Sequence, residues 1–271
     1  MTKNGYAITF IQNPSFELQK LIVTKNGRNI RYIQNPSVEL QKLAVIEYGW
    51  FIEYIENPFF EIQKIAVTKC GNALEYIQNS SDTIQELAVT QHGYPIQWIQ
   101  NPSYELQKIA VTQCGYSIRY IKNPSFEIQK LAVTRNGYII EYIKNPSFEI
   151  QKIAVTQKGL SIAYIKNPND TIQQLAVTQI GSAIIYIQNP SEKIKQLIVK
   201  LNPYDIRYIQ NPSYKVQELA VTKSGSAIRY IKKSFFEIQK IAITHDKINI
   251  QFIQNPSDII KQFAKSSHET K

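Results

Sequence analysis

The chain has 271 residues, of which 43% are hydrophobic, and its 31 Lys and Arg residues outnumber its 21 Asp and Glu residues to give a net charge of +10. No apolar run approaches the roughly 18 residues of a membrane-spanning helix, and the polar start MTKNGY is unlike a secretion signal. We therefore expect no membrane association and a soluble protein in the cytoplasm, either of a bacterium or of an infected host cell.

A 22-residue unit repeats along the chain without insertion or deletion. Eleven full copies fill residues 13–254, and half copies occupy residues 1–12 and, with a polar tail, residues 255–271. With Asn13 as position 1, position 15 holds all ten glycines and position 2 holds ten of the twelve prolines. A fixed period of this length indicates a solenoid, because each unit buries its apolar face only by stacking on its neighbours. We expect a single elongated repeat domain over residues 1–271.

The first half of each repeat is predicted to be an α-helix. In the repeat at 123–144 (NPSFEIQKLAVTRNGYIIEYIK), Ile128, Leu131 and Ala132 have the i, i+3, i+4 spacing of a buried helix face. Asn at position 1 is a good N-cap, Pro suits the first helical position, and Gly at position 15 ends a helix in a left-handed turn. These residues predict a helix from position 2 to position 14.

The second half of each repeat is predicted to be a shorter helix. Ile140 and Ile143 are three residues apart, as on one helix face. The Tyr and Ile content leaves a strand as the alternative, but Tyr142 and Ile143 are adjacent and break a clean alternation. We therefore predict an all-α fold, an α-solenoid of eleven two-helix repeats with a half repeat at each end.

Two parts of the repeat resemble known families. The motif Asn-Pro-x-x-x-Ile/Leu-Gln-x-Leu-Ala-Val resembles the second helix of HEAT-type repeats and of leucine-rich variant repeats, and Ala-Val-Thr-x-x-Gly-x-Ala-Ile-x-Tyr resembles uncharacterised helical-repeat proteins of bacteria and large viruses. The resemblance implies an interaction scaffold, for example a viral or phage adaptor or an inhibitor of a host complex. It carries no catalytic motif that could be transferred to this chain.

Positions 14, 16 and 19 differ most between repeats, and positions 16 and 19 are neighbours on one face of the second helix. Position 20 is aromatic in all eleven copies. Tyr beside Arg is typical both of interface hot spots and of platforms on which bases stack. The candidate partner-binding residues are therefore Arg28, Arg31, Trp50, Tyr94, Trp98, Tyr116, Arg119, Tyr138, Leu160, Tyr204, Arg207 and Arg229.

The aromatic ladder at position 20 also has a structural interpretation. Its invariance matches that of the core positions, which favours packing between successive repeats with the hydroxyl groups on neighbouring Gln or Asn side chains. By the same reasoning, the recurrent Gln at position 7 is predicted to form hydrogen bonds from repeat to repeat.

The positive charge is unevenly distributed. Residues 35–100 carry a net charge of −5, whereas residues 189–271 carry +7. Seven repeats have Glu at position 5 and Lys at position 8, while the other four have neither, as expected of i,i+3 ion pairs on a solvated helix face. A protein is therefore the expected partner. The alternative is a nucleic acid, bound by basic and aromatic residues of the C-terminal third.

Catalytic chemistry has little support. Cys70, His92 and Cys114 all occupy position 14 of consecutive repeats, so stacking separates neighbours by about 10 Å, too far to share one zinc ion. We expect no enzyme activity, no metal, no cofactor and no small-molecule substrate, and two free thiols. The remote alternative is a HEAT-like nucleic-acid glycosylase in which Trp50 and Trp98 contact a base.

Self-association has two possible origins in the sequence. The half repeats at the two ends are complementary, so head-to-tail contacts between copies are conceivable. In repeats seven and eight, Leu160, Ala163, Ile180 and Ile185 replace polar residues, and an apolar patch of this kind can mark a dimer or partner contact.

Overall fold

The computed structural model describes residues 5–266, and every regular element in that range is helical. Each repeat contributes one α-helix, most of them ten residues long, and one 3₁₀ helix, most of them six residues long. The predicted all-α solenoid of two-helix repeats is confirmed. The second element is a 3₁₀ helix rather than a strand. Of the polar tail predicted from residue 265 onwards, residues 267–271 lie outside the described residues.

The chain divides into two compact units between Ala132 and Val133, and each is described by itself. The organisation as a single domain stays a prediction. The first unit contains the α-helices α1 (Phe16–Lys25), α2 (Val38–Glu47), α3 (Phe60–Lys69), α4 (Asp82–His92) and α5 (Tyr104–Gln113). Its 3₁₀ helices are η1 (Gly5–Phe10), η2 (Gly27–Tyr32), η3 (Gly49–Tyr54), η4 (Gly71–Tyr76), η5 (Tyr94–Trp98) and η6 (Gly115–Tyr120).

The dividing point falls within α6 (Phe126–Arg135). The second unit contains α7 (Phe148–Gln157), α8 (Asp170–Gln179), α9 (Glu192–Leu201), α10 (Tyr214–Lys223), α11 (Phe236–His245) and α12 (Asp258–Ser266). Its 3₁₀ helices are η7 (Gly137–Tyr142), η8 (Gly159–Tyr164), η9 (Gly181–Tyr186), η10 (Pro203–Tyr208), η11 (Gly225–Tyr230) and η12 (Lys247–Phe252).

The core of each unit consists of the same positions in every repeat. In the repeat at 145–166, Ile150, Ala154 and Val155 of α7 are buried together with Ile162 of η8 and Ile165 after it. Consecutive α-helices pack on each other from α1 to α5 and from α7 to α12, and the 3₁₀ helices do the same within each unit. A single repeat therefore buries its apolar side chains only against its neighbours, as the period predicts.

The predicted core is confirmed with one shift in register. Ile128, Ala132, Ile140 and Ile143 are buried, as their spacing predicts. Leu131 is only half-buried, and the position next to Ala132, which is Val or Ile in each full repeat, is buried in its place. The buried stripe of the α-helix is therefore rotated towards position 11.

The α-helices begin later than predicted. In the repeat at 145–166, Ser147 at position 3 is the N-cap and accepts a hydrogen bond from the backbone N–H of Ile150, at 3.4 Å. Asn145 at position 1 instead lies in the loop with a φ of +50°, in the left-handed region that Asn tolerates better than most residues. The predicted Asn cap was wrong because Ser and Asn cap equally well, and only the backbone conformation distinguishes them.

The Gln at position 7 supports this helix start. Gln151 donates from Nε2 to the carbonyl oxygen of Pro146 in its own repeat, at 2.9 Å, and the equivalent bond occurs in every repeat that has Gln there. The predicted ladder between repeats is therefore wrong. Gln217 is the one such residue that also bonds across repeats in the described range, through its contacts with Lys233 and Phe235.

Except for Gly93, the described glycines at position 15 start the 3₁₀ helices, so their predicted role as left-handed helix ends was wrong at those positions and confirmed at Gly93, the C-cap of α4. Among the described glycines, Gly93 alone has a positive φ, of 81°. A Cβ atom added to Gly49 or Gly137 would instead overlap the carbonyl oxygen of the Ala at position 10 of the next repeat, Ala66 or Ala154. Glycine is thus required by the close approach of backbone between consecutive repeats.

Candidate interaction surface

Each repeat exposes two surfaces with different chemistry. The α surface consists of positions 4, 5, 8 and 12 of the α-helix. The ribbon consists of positions 16, 19 and 20 of the repeat, which lie on the 3₁₀ helix. Each of the two units has its own ribbon. The buried side chains at positions 6, 10, 11, 18 and 21 lie between the two surfaces and leave both free of the core.

Aromatic rings on the ribbon pair between consecutive repeats. A ring at position 16 contacts the ring at position 20 of the following repeat, nearly perpendicular to it. The pairs and their centroid distances are Tyr6–Tyr32 at 5.5 Å, Trp50–Tyr76 at 5.9 Å, Tyr94–Tyr120 at 6.4 Å, Tyr138–Tyr164 at 6.2 Å and Tyr204–Tyr230 at 6.3 Å. Edge-to-face pairs contribute about 0.5–1.5 kcal/mol beyond their buried area. The ladder therefore packs repeat on repeat, as its invariance predicts.

The rings at position 20 are exposed in four of the eleven full repeats and half-buried in the other seven. Trp98, Tyr164, Tyr186 and Tyr230 keep between 37% and 48% of their surface exposed. Packing between repeats and contact with a partner are therefore compatible at position 20, because one side of the ring is used for each.

Arginine at position 19 stacks on these rings. The guanidinium carbon of Arg119 lies 4.6 Å from the ring centroid of Tyr120 and 5.8 Å from that of Tyr94. Arg207 lies between Tyr208 of its own repeat and Tyr230 of the following repeat, at 4.7 and 5.8 Å, whereas the second ring beside Arg119 belongs to the preceding repeat. Because the guanidinium group stacks on the ring faces, the positive charge of the arginine is held at one place on the surface.

Hydroxyl groups of the ladder bond to these arginines rather than to Gln or Asn. Arg31 donates to the hydroxyl of Tyr32, and Arg28 donates to that of Tyr54 at 3.3 Å. The bond to Tyr32 also raises the pKa of the Arg31 guanidinium. At Tyr32 and Tyr54, the expected Gln and Asn partners of the hydroxyls are therefore replaced by variable residues of the ribbon.

Position 19 differs from repeat to repeat in charge and polarity. In the first unit it reads Arg31, Glu53, Glu75, Gln97 and Arg119, and in the second unit Glu141, Ala163, Ile185, Arg207, Arg229 and Gln251. All of these side chains are exposed except Gln97, which is half-buried. Each ribbon thus presents a frame of one aromatic ring per repeat, at position 20, beside a changing side chain at position 19.

All of the predicted partner-binding residues lie on a ribbon. The first unit holds Arg28, Arg31, Trp50, Tyr94, Trp98, Tyr116 and Arg119, and the second holds Tyr138, Leu160, Tyr204, Arg207 and Arg229. Tyr94, Tyr116, Tyr138 and Leu160 are half-buried and the others exposed. Their role in binding stays a prediction.

One buried carboxyl group lies under the second ribbon. Asp205 at position 17 is buried, accepts a hydrogen bond from Asn202 at 3.1 Å and lies 3.6 Å from Arg207. Burial is the main cause that raises the pKa of this carboxyl, and Arg207 opposes the shift. Position 17 was not singled out from the sequence, although its change from repeat to repeat was a visible signal.

The α surface combines exposed rings with ion pairs, of which Lys108–Glu105 and Lys240–Glu237 have the predicted i,i+3 spacing between positions 5 and 8. Lys240 pairs with Glu237 at 3.5 Å within a helix, as the spacing predicts, whereas Lys20 pairs with Glu39 of the next repeat at 2.7 Å. Phe16 and its equivalents at position 4 are also exposed, and the ammonium group of Lys20 covers the Phe16 ring at 5.7 Å. The exposed rings at position 4 were not predicted from the sequence, because this position directly follows the N-cap of the α-helix.

Open grooves lie between consecutive repeats, where the 3₁₀ helix leads into the next loop. In the first unit, Glu53, Glu56, Glu75 and Tyr76 line a groove of about 450 Å³. In the equivalent groove of about 700 Å³ in the second unit, Ala163 takes the place of Glu53 and Lys166 takes that of Glu56.

The equivalent groove near the end of the second unit has the opposite charge. Its volume is about 560 Å³, and its lining includes Arg207, Tyr230, Lys232, Lys233 and Phe235. We call it the basic groove. The sequence did not reveal these grooves, because their walls come from two or three repeats brought together by stacking.

The remaining candidate groups are separate from these grooves. Cys70 and Cys114 are free, half-buried thiols at the ends of α3 and α5. A hydrogen bond with Cys114 is the main cause that raises the pKa of Tyr94. In residues 5–266, no group of three or more His, Cys, Asp or Glu side chains is arranged to hold a metal ion.

The apolar residues of repeats seven and eight are only partly exposed. Ile180 and Ile185 are exposed, at 42% and 57%, and Ala163 is exposed as well, whereas Leu160 is half-buried. A dimer contact at Leu160 and Ile185 stays a prediction.

None of the described helices has the length and apolar character needed to cross a bilayer. Comparison of the chain with protein-family models, with curated proteins and with solved structures finds no match to any of them. The similarity to HEAT-type and leucine-rich variant repeats therefore stays a resemblance of short motifs.

Proposed function

We propose that the protein is a non-enzymatic scaffold that binds a protein partner along its ribbons. The observation that carries the proposal is the arrangement at position 19, where a changing side chain lies beside a frame of position-20 rings that are exposed or half-buried in every full repeat. The frame supplies apolar contact area, and position 19 supplies a distinct charge or apolar group in each repeat.

The physical requirements of a protein interface are met by this arrangement. Tyr, Trp and Arg are the residues that most often dominate binding energies, because their rigid or planar groups lose little conformational freedom on contact. Arg119 and Arg207 are already held between rings, so binding them immobilises less than binding a free arginine side chain.

The resemblance to repeat proteins of bacteria and large viruses extends the proposal. We infer from it a scaffold in the cytoplasm of a bacterium or an infected cell, as an adaptor or inhibitor acting on a host complex. The identity of that complex is an outcome of the experiment below.

The test is affinity purification from the cells that naturally produce the chain, followed by mass spectrometry. The ribbon variant Trp50→Ala/Tyr94→Ala removes two rings from the first ribbon. A matched control, Tyr104→Ala/Phe126→Ala, removes two rings from the α surface, where they are exposed at 47% and 41%. We expect the control to retain the proteins captured by the unaltered chain and the ribbon variant to lose them.

Recovery of the same proteins with the ribbon variant would contradict a role for the first ribbon. Loss of the partner with both variants would contradict the distinction between the two surfaces. Circular dichroism and thermal unfolding of each variant show whether the stack is intact before capture is compared.

Nucleic acid is the second candidate, and the basic groove is the observation that favours it. Arg207, Lys232 and Lys233 lie beside the ring of Tyr230, a combination that suits phosphate groups and stacked bases. Against it, Glu53, Glu75 and Glu141 interrupt the ribbons with negative charge.

Salt dependence distinguishes the two candidates. Binding to nucleic acid weakens by orders of magnitude between about 50 and 200 mM salt if several phosphates are contacted, and it falls with Arg207→Ala or Arg229→Ala. Binding to a protein through Trp50, Tyr116 or Leu160 is expected to change less over that range. Absence of any shift with DNA or RNA at low salt removes the second candidate.

A further inference from the structure

The loop before α11 is the place where the repeat departs most from its own pattern. Elsewhere this loop reads Asn-Pro-Ser in most repeats, but here it reads Lys233-Ser234-Phe235. Lys233 and Phe235 both line the basic groove. Two of the three consecutive changes therefore fall at one wall of this groove.

Phe235 replaces a residue that would stabilise the helix. The N-cap of α11 has no side-chain hydrogen bond, whereas Ser213 caps α10 by accepting from Val216 at 3.2 Å. Phe235 is instead 47% exposed and packs its ring edge to face against Tyr214, with centroids 5.4 Å apart. An exposed ring has been placed beside the groove where a cap would serve stability better.

The charge in the groove is available to a ligand. Lys232 and Lys233 are exposed, and neither forms an ion pair within residues 5–266. Arg207 lies against Tyr230 at 5.8 Å, and its only ion pair in that range is the one with Asp205. The floor is closed by Gln217, which is buried and bonded to Pro212, Lys233 and Phe235.

We infer that the basic groove binds an acidic peptide segment of the partner protein. This inference rests on the proposed function and specifies the chemistry of one site. Carboxylate side chains would meet Arg207, Lys232 and Lys233, while an apolar or aromatic side chain next to them would contact Tyr230 and Phe235. Arg207 offers the planar donor pair that a carboxylate accepts in bidentate fashion.

The neighbouring repeats favour a peptide over a nucleic acid. Towards the start of the second unit, position 19 changes from Arg207 to Ile185 and Ala163, and then to Glu141. A phosphate backbone leaving the groove in that direction would meet apolar and then negative side chains. A peptide can change from acidic to apolar residues within the same distance.

The distance between repeats determines how far apart the contacting residues lie in the peptide sequence. Packed helices lie about 8–10 Å apart, and an extended chain covers about 10 Å in three residues. One repeat therefore corresponds to about three peptide residues. The segment is expected to carry its acidic residues at the groove and apolar residues about three and six positions further along, facing Ile185 and Ala163.

The test is fluorescence anisotropy with synthetic labelled peptides and the full chain. The probe is a 12-residue peptide with Glu at its first four positions and Leu at positions seven and ten. The same sequence in reverse order covers the opposite direction, and peptides with Lys in place of Glu are the charge control. A 12-nucleotide oligo-dT is the nucleic-acid probe.

We expect one of the two acidic peptides to bind, and the variant Lys232→Glu/Lys233→Glu to bind it at least tenfold more weakly. The control variant Lys152→Glu/Lys193→Glu makes the same charge change on the α surface of the second unit, at exposed positions, and is expected to bind within about twofold of the unaltered chain. Equal binding of the acidic and Lys peptides would overturn the inference, as would tighter binding of oligo-dT or equal losses in the two variants.

The variant Phe235→Ser distinguishes a role of Phe235 in peptide binding from a purely structural role. Restoring the cap is expected to raise the midpoint of thermal unfolding, while removal of the ring weakens binding of the acidic peptide severalfold. A rise in stability with unchanged affinity would contradict a role for Phe235 in the groove. If this site fails while Trp50→Ala/Tyr94→Ala still loses a captured protein, the proposed function stands and the inference alone is wrong.

Discussion

The α-helical half and the 3₁₀ half of each repeat share one core but differ in how much they vary. The α half carries Glu at position 5 and Lys at position 8 in seven of eleven repeats, with the same Gln bond and mostly the same Ser cap. The 3₁₀ half varies outside, at positions 16 and 19, and also inside, at position 17. Stacking therefore fixes the α half more tightly than the 3₁₀ half.

Position 17 shows why the 3₁₀ half tolerates change. Side chains as different as Phe51, Pro95, Ile139 and Asp205 occupy it, and it lies next to the glycine of the preceding repeat, as Pro95 does beside Gly71. Because the glycine has no side chain of its own, the space above it accepts residues of different size. The glycine at position 15 is retained in nine of the eleven full repeats, with Pro203 and Lys247 in the other two, whereas the side chain at position 17 changes throughout.

The strongest test of this comparison alters that glycine contact. Gly137→Ala would place a methyl group against the carbonyl oxygen of Ala154 and the Oγ of Ser161, and backbone cannot yield as a flexible side chain would. We expect a loss of stability of roughly 1–3 kcal/mol or more, measured by urea unfolding. Glu141→Ala, at an exposed position of the same 3₁₀ helix, should change stability by less than about 0.5 kcal/mol. Similar losses for the two variants would break the comparison.

The next largest effect is expected at the cap of the α half. Ser147→Ala removes the hydrogen bond to the backbone N–H of Ile150 and should cost about 1 kcal/mol, again measured by urea unfolding. Ser147→Asn keeps an acceptor and is the matched control, since Asn169 caps α8 in the same way at 3.0 Å. A full loss with Asn as well would show that the cap is not what Ser147 contributes.

The smallest effect is expected at position 17, inside the 3₁₀ half, where buried Asp205 makes the stability of the fold depend on pH. Because burial raises the pKa of Asp205 above its ordinary value of 3.8, the folded chain holds this proton to a higher pH than the unfolded chain does. The contribution of this carboxyl to the free energy of unfolding is therefore fully present below its ordinary pKa. It is lost as the pH rises through the raised pKa.

Asp205→Asn removes this titration, so the midpoint of thermal unfolding of the variant relative to the unaltered chain should increase between pH 3 and pH 7. A variant difference that is constant with pH, or that falls, would contradict this assignment. Asp246→Asn, at an exposed position, is the control.

Much of the fold follows from the repeat itself. The period of 22 fixes the number of repeats, and the spacing of Ile128 and Ala132, or of Ile140 and Ile143, identifies helix faces and most of the core. Local roles were harder to predict. Asn at position 1, Ser at position 3 and Gly at position 15 each have more than one plausible use, and the choice depends on backbone contacts with the next repeat.

The candidate surface was predicted only in part, because it too depends on contacts between repeats. Variation at positions 16 and 19 identified residues such as Trp50 and Arg119, which lie on the ribbons. The pairing of position 16 with position 20 of the next repeat, and the basic groove around Lys233, depend on how far one repeat is offset from another. That offset is a property of the packed stack and leaves no signal within a single repeat.

The ring contacts between consecutive repeats have a consequence for how such a chain can change. Each contact joins position 16 of one repeat to position 20 of the following one, and Tyr occupies both places at Tyr138–Tyr164 and Tyr204–Tyr230. The junctions are therefore interchangeable. Recombination between these two junctions would remove or add 66 codons, which is three repeats, and would shift the order of side chains at position 19 while keeping the ring contact and the core positions.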